Sequence, residues 1–571
     1  MASSGDTPRD TARHFAHWPP GAPRHLPPLT QTLPEQLAAS AARFGDKAAV
    51  IFHDTPHGYP ALQAQADQLA GHLQHSAGLQ PGDRVLLVMQ NSPQWMVGCY
   101  GTLRAQGVVV PVNPMNRLDE LRHLAQDSGA RVALVAQDLL PEVLPLLDEG
   151  LLRQVVVATY SDALDPAGHP CDLPPPPVVS APRQPLPDQR CIAWAEALAA
   201  APAPRAYTGT MDDLAVMPYT SGTTGRPKGC MHTHRTVSAT VTGGVLWFGR
   251  TPEDVYLSVL PLFHVTGFIG GLCGPLKLGA TIVMLARWDR EAAARSIARH
   301  RVSTWQAIST MMIDFLAQPH LRREDLASLK SVRGGGAAMP EAVAARLHAL
   351  TGLEYVEGYG MSEMMAATHI NPPQRPKRQC LGVPVMDVDA RLLDPITLQP
   401  VADGEVGEIV MHAPQQMLGY WNDPEGTAAV FVEIGGTRFL RSGDLARVDE
   451  DGYFFMVDRL KRMINASGYK VWPAEVEALL HGHPAIQEAC VIAARDPRRG
   501  ETVKALVVLR AGAEPTTEAQ VIAWAHERMA AYKAPRIVQF VPSLPKGGAG
   551  KVLWRELQRQ EDDNTSPGDK P

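Results

Sequence analysis

Apolar residues gather in short runs, and between the runs they recur every three or four positions. Ala48–Phe52, Val85–Val88, Val108–Val112 and Val132–Val135 are runs of strand length, as expected for strands buried on both faces. Between them, Leu62–Leu73 and Pro93–Gln106 carry helical spacing. Ahead of them Thr32-Leu-Pro-Glu35 has the form of a capping box, with Leu37, Ala41 and Phe44 following at helical intervals. Strands alternating with helices predict an α/β domain with a largely parallel sheet. The alternation resumes at Leu214 and runs to about residue 350. From Val388 to Phe455 it gives way to strands with Gly-containing turns, a small β unit. Past a break at Asp458–Ile464, a second compact stretch predicts helices at Pro473–His481 and Ala519–Tyr532 and strands at Ala489–Ala493, Val503–Leu509 and Ile537–Val541.

Four segments depart from this pattern. Residues 1–28 read as a flexible arm without the apolar core of a signal peptide. Residues 161–204 hold Pro174–Pro177 and seven further prolines, and read as a surface insertion with one short helix near Ile192–Ala199. Phe268–Ala286 is the nearest look-alike to a membrane span, but Pro275, Lys277 and repeated Gly make it a buried strand and loop. Residues 561–571 carry four acids and one Lys and read as a disordered tail.

A chain of 571 residues buries a core without disulfide or metal staples. Its net charge of −6 argues against a nucleic-acid partner. The stretch 462–560, with 14 Lys and Arg against 9 Asp and Glu, is basic and so suited to an anionic ligand. The seven Cys are scattered, with no CxxC pair, so reduced thiols in a cytoplasmic protein are expected and structural zinc is not.

The chemistry concentrates in a few strings. Tyr219-Thr-Ser-Gly-Thr-Thr-Gly-Arg-Pro-Lys228-Gly229 follows a short apolar stretch. Its glycines let backbone N–H groups turn toward an anion, and its hydroxyls and Lys228 add donors and charge, so it forms a phosphate cradle. It is not a Walker A loop, because Pro227 and Cys230 stand where that pattern needs Gly. Downstream come Pro261-Leu-Phe-His264, Gly334-Gly-Gly-Ala-Ala-Met-Pro340 and Gly358-Tyr-Gly-Met-Ser-Glu363. Arg441-Ser-Gly-Asp444, Asp458-Arg-Leu-Lys461, Ser467-Gly-Tyr469 and Pro545-Lys-Gly-Gly-Ala-Gly-Lys551 complete the series.

In this order the strings resemble the acyl-adenylate-forming superfamily of AMP-binding enzymes. Its members include acyl-CoA synthetases, luciferases and the adenylation domains of peptide synthetases, and the stretch from Glu357 to Asn371 is most similar to bacterial fatty-acyl-CoA ligases. The resemblance implies an α/β fold with a large N-terminal domain over 29–460 and a small, mobile α+β lid over 461–560. It implies two half-reactions: a carboxylate attacks the α-phosphate of ATP to give acyl-AMP and pyrophosphate, and CoA then takes the acyl group and releases AMP. Positioned cations and donors dominate such charge-rich chemistry.

The family's roles carry over residue by residue. Thr220, Ser221, Gly222, Thr223, Thr224, Gly225 and Lys228 would hold the phosphates. Gly335, Gly336, Ala337, Gly358, Tyr359, Gly360, Met361 and Ser362 would form the adenine shelf, with the ring of Tyr359 against the base. Asp444 would accept the ribose hydroxyls and Arg459 would contact ribose and phosphate. Glu363, a hard oxygen ligand, would hold Mg²⁺ with Thr220. Lys551, on a Gly-rich loop, would bridge carboxylate and α-phosphate during adenylation. Lys461 matches the hinge, and Ser467, Gly468 and Tyr469 the CoA side. His264 would gate or orient the carboxylate.

No Asp, Glu, Lys or Arg lies between Pro261 and His264 or in the turn after it through Leu276. Amino-acid substrates, whose ammonium would need a buried partner, are therefore disfavoured. Val265, Phe268, Met311 and Met365 are candidate pocket residues. A medium- or long-chain fatty acid is favoured, with an aromatic or alicyclic acid second and loading of a carrier protein as the alternative to CoA. A non-catalytic nucleotide binder would lack Glu363 or Lys551, and both are present. The partners expected are small molecules; peripheral membrane contact and a choice between monomer and homodimer stay open.

Overall fold

The computed structural model describes residues 11–165, 174–220, 227–466, 469–496, 500–546 and 552–565. They form two compact units. One holds the described residues up to Asp389 together with His412–Leu440 and Asp451–Tyr453; the other holds Ala390–Met411, Arg441–Glu450 and the described residues from Phe454 on.

The first unit contains two large sheets. The seven-stranded sheet runs in the order His232–Thr233, Leu214–Val216, Val108–Pro111, Arg84–Val88, Val132–Ala136, Gln154–Ala158, Cys191–Ala193, and is parallel except at its first strand. The nine-stranded sheet runs Val383–Pro384, Ala366–Ile370, Tyr355–Met361, Ser331–Gly335, Thr304–Gln306, Val255–Ser258, Thr281–Met284, Ala48–Phe52, Thr55–Gly58. Its middle is parallel and its edge pairs are antiparallel. Strand alternation sorts the side chains. Val50, Phe52, Ile282 and Met284 join Leu87 and Leu134 of the other sheet in one core, whereas Leu257, Val283, Trp305 and Val332 pack on the opposite face of the nine-stranded sheet. Helix Leu33–Phe44 begins as its capping box predicts, with the Thr32 N–H donating to the Glu35 carboxylate at 2.8 Å.

Several expectations are corrected. Phe268–Leu278 is helix, not strand and loop: the helical segment 265–278 makes a wide π-turn at Phe268–Cys273, and strand follows only at Thr281–Met284. The segment is apolar all round because it is enclosed, and Gly at 267, 270 and 271 fits where a side chain would collide. The Pro-rich insertion is partly built in. Cys191–Ala193 adds an edge strand, Val179, Trp194 and Ala197 are buried, and the Pro202 carbonyl lies against Gly71. The described part of the arm is packed as well: Trp18 stands edge-on to Trp247 at 5.2 Å, and Leu26 N–H donates to Asp387 at 2.8 Å. The helix expected to reach Tyr532 stops at His526. Helix Trp554–Thr565 enters the segment expected to be a disordered tail, where Glu561 pairs with Lys504 at 2.6 Å.

In the second unit the strands Tyr469–Val471, Ile464–Ala466, Gly500–Leu509 and Ile486–Asp496 form a sheet with Ile537–Phe540. Helices Pro473–Leu480 and Glu518–His526 contribute Val476, Leu480 and Val521 to its core. No described helix is long and apolar enough to cross a membrane.

Candidate active site

The phosphate-cradle string is a β-hairpin. Thr220 and Lys228 are direct antiparallel partners, so the ends of the glycine-rich loop stand side by side. Ser221, Gly222, Thr223, Thr224 and Gly225 lie outside the described residues. Lys228 Nζ is 2.6 Å from the Asp423 carboxylate and 5.1 Å from the centre of the Tyr420 ring. Its hydrogen bond holds the Asp423 carboxyl below the usual carboxylate range. Asp423 also caps helix Pro424–Ala429, accepting the Gly426 N–H at 2.7 Å. A Cβ on Gly426 would come within 2.4 Å of both Asp423 and Lys228, so this pair requires glycine there.

Glu363 sits on the short turn Ser362–Met364, directly after strand Tyr355–Met361, and is 9% exposed. The Tyr420 hydroxyl donates to Glu363 Oε1 at 2.8 Å, and the Glu363 carbonyl accepts the Met417 N–H at 2.9 Å. His232 Nε2 is 2.7 Å from the Ser362 carbonyl. A carbonyl can only accept, so Nε2 carries the proton. Burial pushes the His232 pKa down to about 4, so the ring is neutral near pH 7. Burial and the Glu363 charge push the Tyr420 phenol up, so it remains a donor. Segment 417–423 therefore binds the hairpin and the acid turn together: Trp421 N–H donates to the Gly229 carbonyl at 2.8 Å, and the Tyr420 ring lies by Lys228 while its hydroxyl holds Glu363. Tyr420, Asp423 and His232 were not legible as site residues. Asp423 before Pro424 signals a helix start, but nothing links it to Lys228, nearly two hundred residues away.

Among the described residues no cluster of three His, Cys, Asp or Glu could hold a metal alone. A single buried carboxylate, tied through Tyr420 to the hairpin that carries Thr220, suits a Mg²⁺ that takes most of its ligands from phosphates and water. Glu363 and Thr220 fit that ion.

The glycine shelf has a structural cause of its own. Gly335 pairs with Gly358, and a Cβ on Gly335 would stand 2.2 Å from the Gly358 carbonyl; on Gly360 it would stand 1.7 Å from the Ala366 carbonyl. Gly336, at φ +84°, and Ala337 are exposed, and Met361 and Ser362 are half-buried. The half-buried Tyr359 ring stands edge-on to His369 at 5.7 Å.

Within the second unit, Asp444 and Arg459 are strand partners joined by an ion pair at 3.0 Å, with the carboxylate buried and the guanidinium half exposed. The tight Ser-Gly turn expected before Asp444 is instead part of the continuous strand Thr437–Val448, in which Gly443 takes φ +70° and its N–H donates to Glu408 at 3.0 Å. The backbone of Lys461 lies in the turn Leu460–Arg462, and Tyr469 opens a strand. Ser467, Gly468 and Lys551 lie outside the described residues.

Comparison with known proteins decides what this arrangement is. Residues 37–421 match the AMP-binding enzyme family and residues 475–551 the AMP-binding enzyme C-terminal domain. The chain belongs to the AMP-binding enzyme family. A long-chain-fatty-acid–CoA ligase of Bacillus subtilis (strain 168) is 34% identical, covering 96% of this chain and 98% of the relative. A feruloyl-CoA synthase of Amycolatopsis sp is also 34% identical, over 91% and 97%. Crystalline ATP-bound MatB from Rhodopseudomonas palustris superposes with a TM-score of 0.81 at 27% identity, covering 94% of this chain and all of that one. This AMP-binding enzyme is an AMP-forming acyl-CoA ligase that uses ATP, CoA and Mg²⁺.

In the ligase, exposed His264 starts the helical segment 265–278, and its Nδ1 accepts the Thr266 N–H at 3.3 Å. Val265, Phe268 and Met365 share the core between the two large sheets. Met311 does not join them; it packs with the helices on the opposite face of the nine-stranded sheet. Met365 stands two residues beyond Glu363, at φ +48°, so one strained turn carries both the acid and a wall of the apolar core.

Proposed function

We propose that the ligase activates a carboxylic acid with an apolar body, either a medium- or long-chain fatty acid or an aromatic acid, and passes the acyl group to CoA. The carrying observation is the apolar cluster of Val265, Phe268 and Met365, whose last member sits on the Glu363 turn. The fatty-acid reading draws on the Bacillus subtilis relative, and the aromatic one on the equally identical feruloyl-CoA synthase.

In this reading the triphosphate lies on the hairpin, and Lys228 exchanges Asp423 for phosphate oxygens. Glu363 and Thr220 would hold Mg²⁺, which when bound would offset phosphate charge. Neutral His232 and protonated Tyr420 keep the Glu363 turn in place. Tyr359 and the glycine strands hold adenine, and Asp444 holds the ribose. The acid's carboxylate oxygen attacks the α-phosphorus as the bond to pyrophosphate breaks, with Lys551 and Arg459 offsetting the charge. The 461–560 domain then turns about Lys461, and the Ser467, Gly468 and Tyr469 loop faces CoA, whose sulfur attacks the acyl carbon and displaces AMP. Sharing one site between two half-reactions through a hinge is a common solution.

The test is a product assay with Mg-ATP, a panel of fatty and aromatic acids, and CoA present or absent. AMP, pyrophosphate and one class of acyl-CoA are expected. Acyl-AMP that persists despite added CoA would replace CoA with a carrier protein as acceptor, and turnover of amino acids alone would overturn the substrate reading.

A further inference from the structure

The nine-stranded sheet turns one face toward the core that holds Val265, Phe268 and Met365, and that face is of two kinds. On Ala48–Phe52 and Thr281–Met284 it is apolar: Val50, Phe52, Ile282 and Met284. On the next strands the registered partners are polar. Tyr256 pairs with Thr304 and Thr304 with Ser331; one step on, Gln306 pairs with Arg333, and Ser258 lies at the matching position of its strand. The intervening residues Leu257, Trp305 and Val332 belong to the opposite core, so alternation sets this polar row on the Val265 side.

The row is unusually short of hydrogen-bond partners. Ser258 Oγ, Thr304 Oγ1, Gln306 Oε1, Ser331 Oγ and Arg333 Nε are enclosed and have none among the described residues, and Arg250 Nε shares this state. Gly270 and Gly271 of the helical segment lie directly over Gln306 and Ser258. Arg250 and Arg333 flank the Phe248 ring, at 5.2 and 4.3 Å from its centre, and neither guanidinium makes an ion pair or hydrogen bond with a described residue. The nearby acid, Asp254, is committed: it accepts the Ser303 hydroxyl at 2.7 Å and the Thr251 N–H at 3.0 Å. Burial, and then Arg250, holds the Arg333 pKa down at about 10, the mark of a cation short of counter-charge. Both arginines are half-buried with Nε enclosed and unpartnered among the described residues; leaving such a group unmatched is costly, so an acceptor brought there is favoured.

Position says which acceptor. Arg333 precedes Gly335 of the adenine shelf by two residues on the same face, roughly 7 Å deeper along the strand. The strands' carboxyl ends carry the shelf, so Arg333 lies beneath it, away from the reacting carboxylate. We infer that the acid activated by this ligase carries an oxygen function, a hydroxyl, phenolate or second carboxylate, at its far end, received by Arg333 and Arg250. The inference rests on the ligase reading above and narrows its substrate. The oxygen could belong to a hydroxylated aromatic acid or to an oxygenated aliphatic one.

The test compares matched acids with the full-length enzyme, Mg-ATP and CoA: cinnamate against 4-hydroxycinnamate, and dodecanoate against 12-hydroxydodecanoate and dodecanedioate. The oxygenated member of at least one series is expected to have a kcat/KM about tenfold higher or more, the direction taken by sites built to pair a polar group. Arg333→Met should bring that ratio close to one, mainly through KM, and Arg333→Lys should recover part of it. Where Arg333→Met does not fold, Arg250→Gln decides by the same ratio. Equal or reversed preference in both series, or a ratio unmoved by these variants, overturns the inference while turnover of the acids leaves the ligase reading standing. No AMP from any acid overturns both.

Discussion

On one face of the nine-stranded sheet, Leu257, Val283, Trp305 and Val332 stack beneath helices that supply Ile297, Met312, Phe315 and Leu347. On the other, three of these strands carry Tyr256, Ser258, Thr304, Gln306, Ser331 and Arg333, while Thr281–Met284 presents Ile282 and Met284. A sheet that needed only stability would have filled both faces with aliphatic side chains. The first face is closed mainly by apolar side chains, with one unmatched polar atom, Trp305 Nε1. The second gives up packing over three strands for a row of polar atoms without partners among the described residues, and in the reading proposed above it is the face turned to the substrate. Substitutions on the two faces should therefore be read by different instruments, one by unfolding and the other by turnover.

The largest effect is expected on the closed face. Trp305→Ala should cost about 3–5 kcal/mol of stability, seen as a lower denaturant midpoint, with specific activity of the folded fraction retained. A matching loss of turnover per folded molecule would erase the distinction. Glu363→Gln should do the reverse, lowering pyrophosphate release by about 10²–10³-fold while the melting temperature stays close to that of the parent. The closed face also holds a carboxyl, Glu357, whose pKa is raised to about 7 by burial, partly offset by N–H donors including Met339 and Gln379. Its folded pKa lies above its unfolded one, so the folded state keeps a proton that the unfolded state releases between about pH 4.5 and 7. Stability should fall across that window by up to about 3 kcal/mol relative to Glu357→Gln, measured as the difference between the two unfolding-versus-pH curves. A constant difference would remove Glu357 from the account. Tyr420→Phe, which takes one hydrogen bond from Glu363, should lower adenylation by about tenfold, with little change in stability. Asp423→Asn should shift the KM for ATP downward by no more than a few-fold, because the half-exposed pair it breaks is worth about 1 kcal/mol or less.

Most of the scaffold could be read from the chain. Strand runs such as Val132–Ala136 and the Thr32–Glu35 start are local signals, and local physics decides them. What failed was decided at long range. The helical segment 265–278 contains Gly and Pro, which weaken helix on their own, but enclosure between α-helices and sheet overrides that propensity. The prolines near Pro202 read as loose surface chain, although the segment contributes Trp194 to the core. Trp18 gave no sign of its partner Trp247. At the candidate site, strings such as Gly358–Glu363 could be proposed from the chain because their residues are consecutive. His232, Tyr420 and Asp423 were not, because each acts on a residue far away in sequence. Arg333 is the clearest case: a single arginine between Val332 and Gly334 looks like a solvent-facing position until the strand is found in the middle of a sheet.

The Lys228–Asp423 pair carries a consequence for anion choice. An anion reaching the hairpin does not meet a bare ammonium but one already neutralised at 2.6 Å. A singly charged ion such as chloride or acetate offers that lysine little more than the carboxylate it would replace. A triphosphate, with several charges to spread over the hairpin and the Glu363 turn, gains on the exchange. If the hairpin receives the triphosphate as proposed, the built-in counter-ion would act as a valence filter that keeps abundant monovalent anions from occupying it.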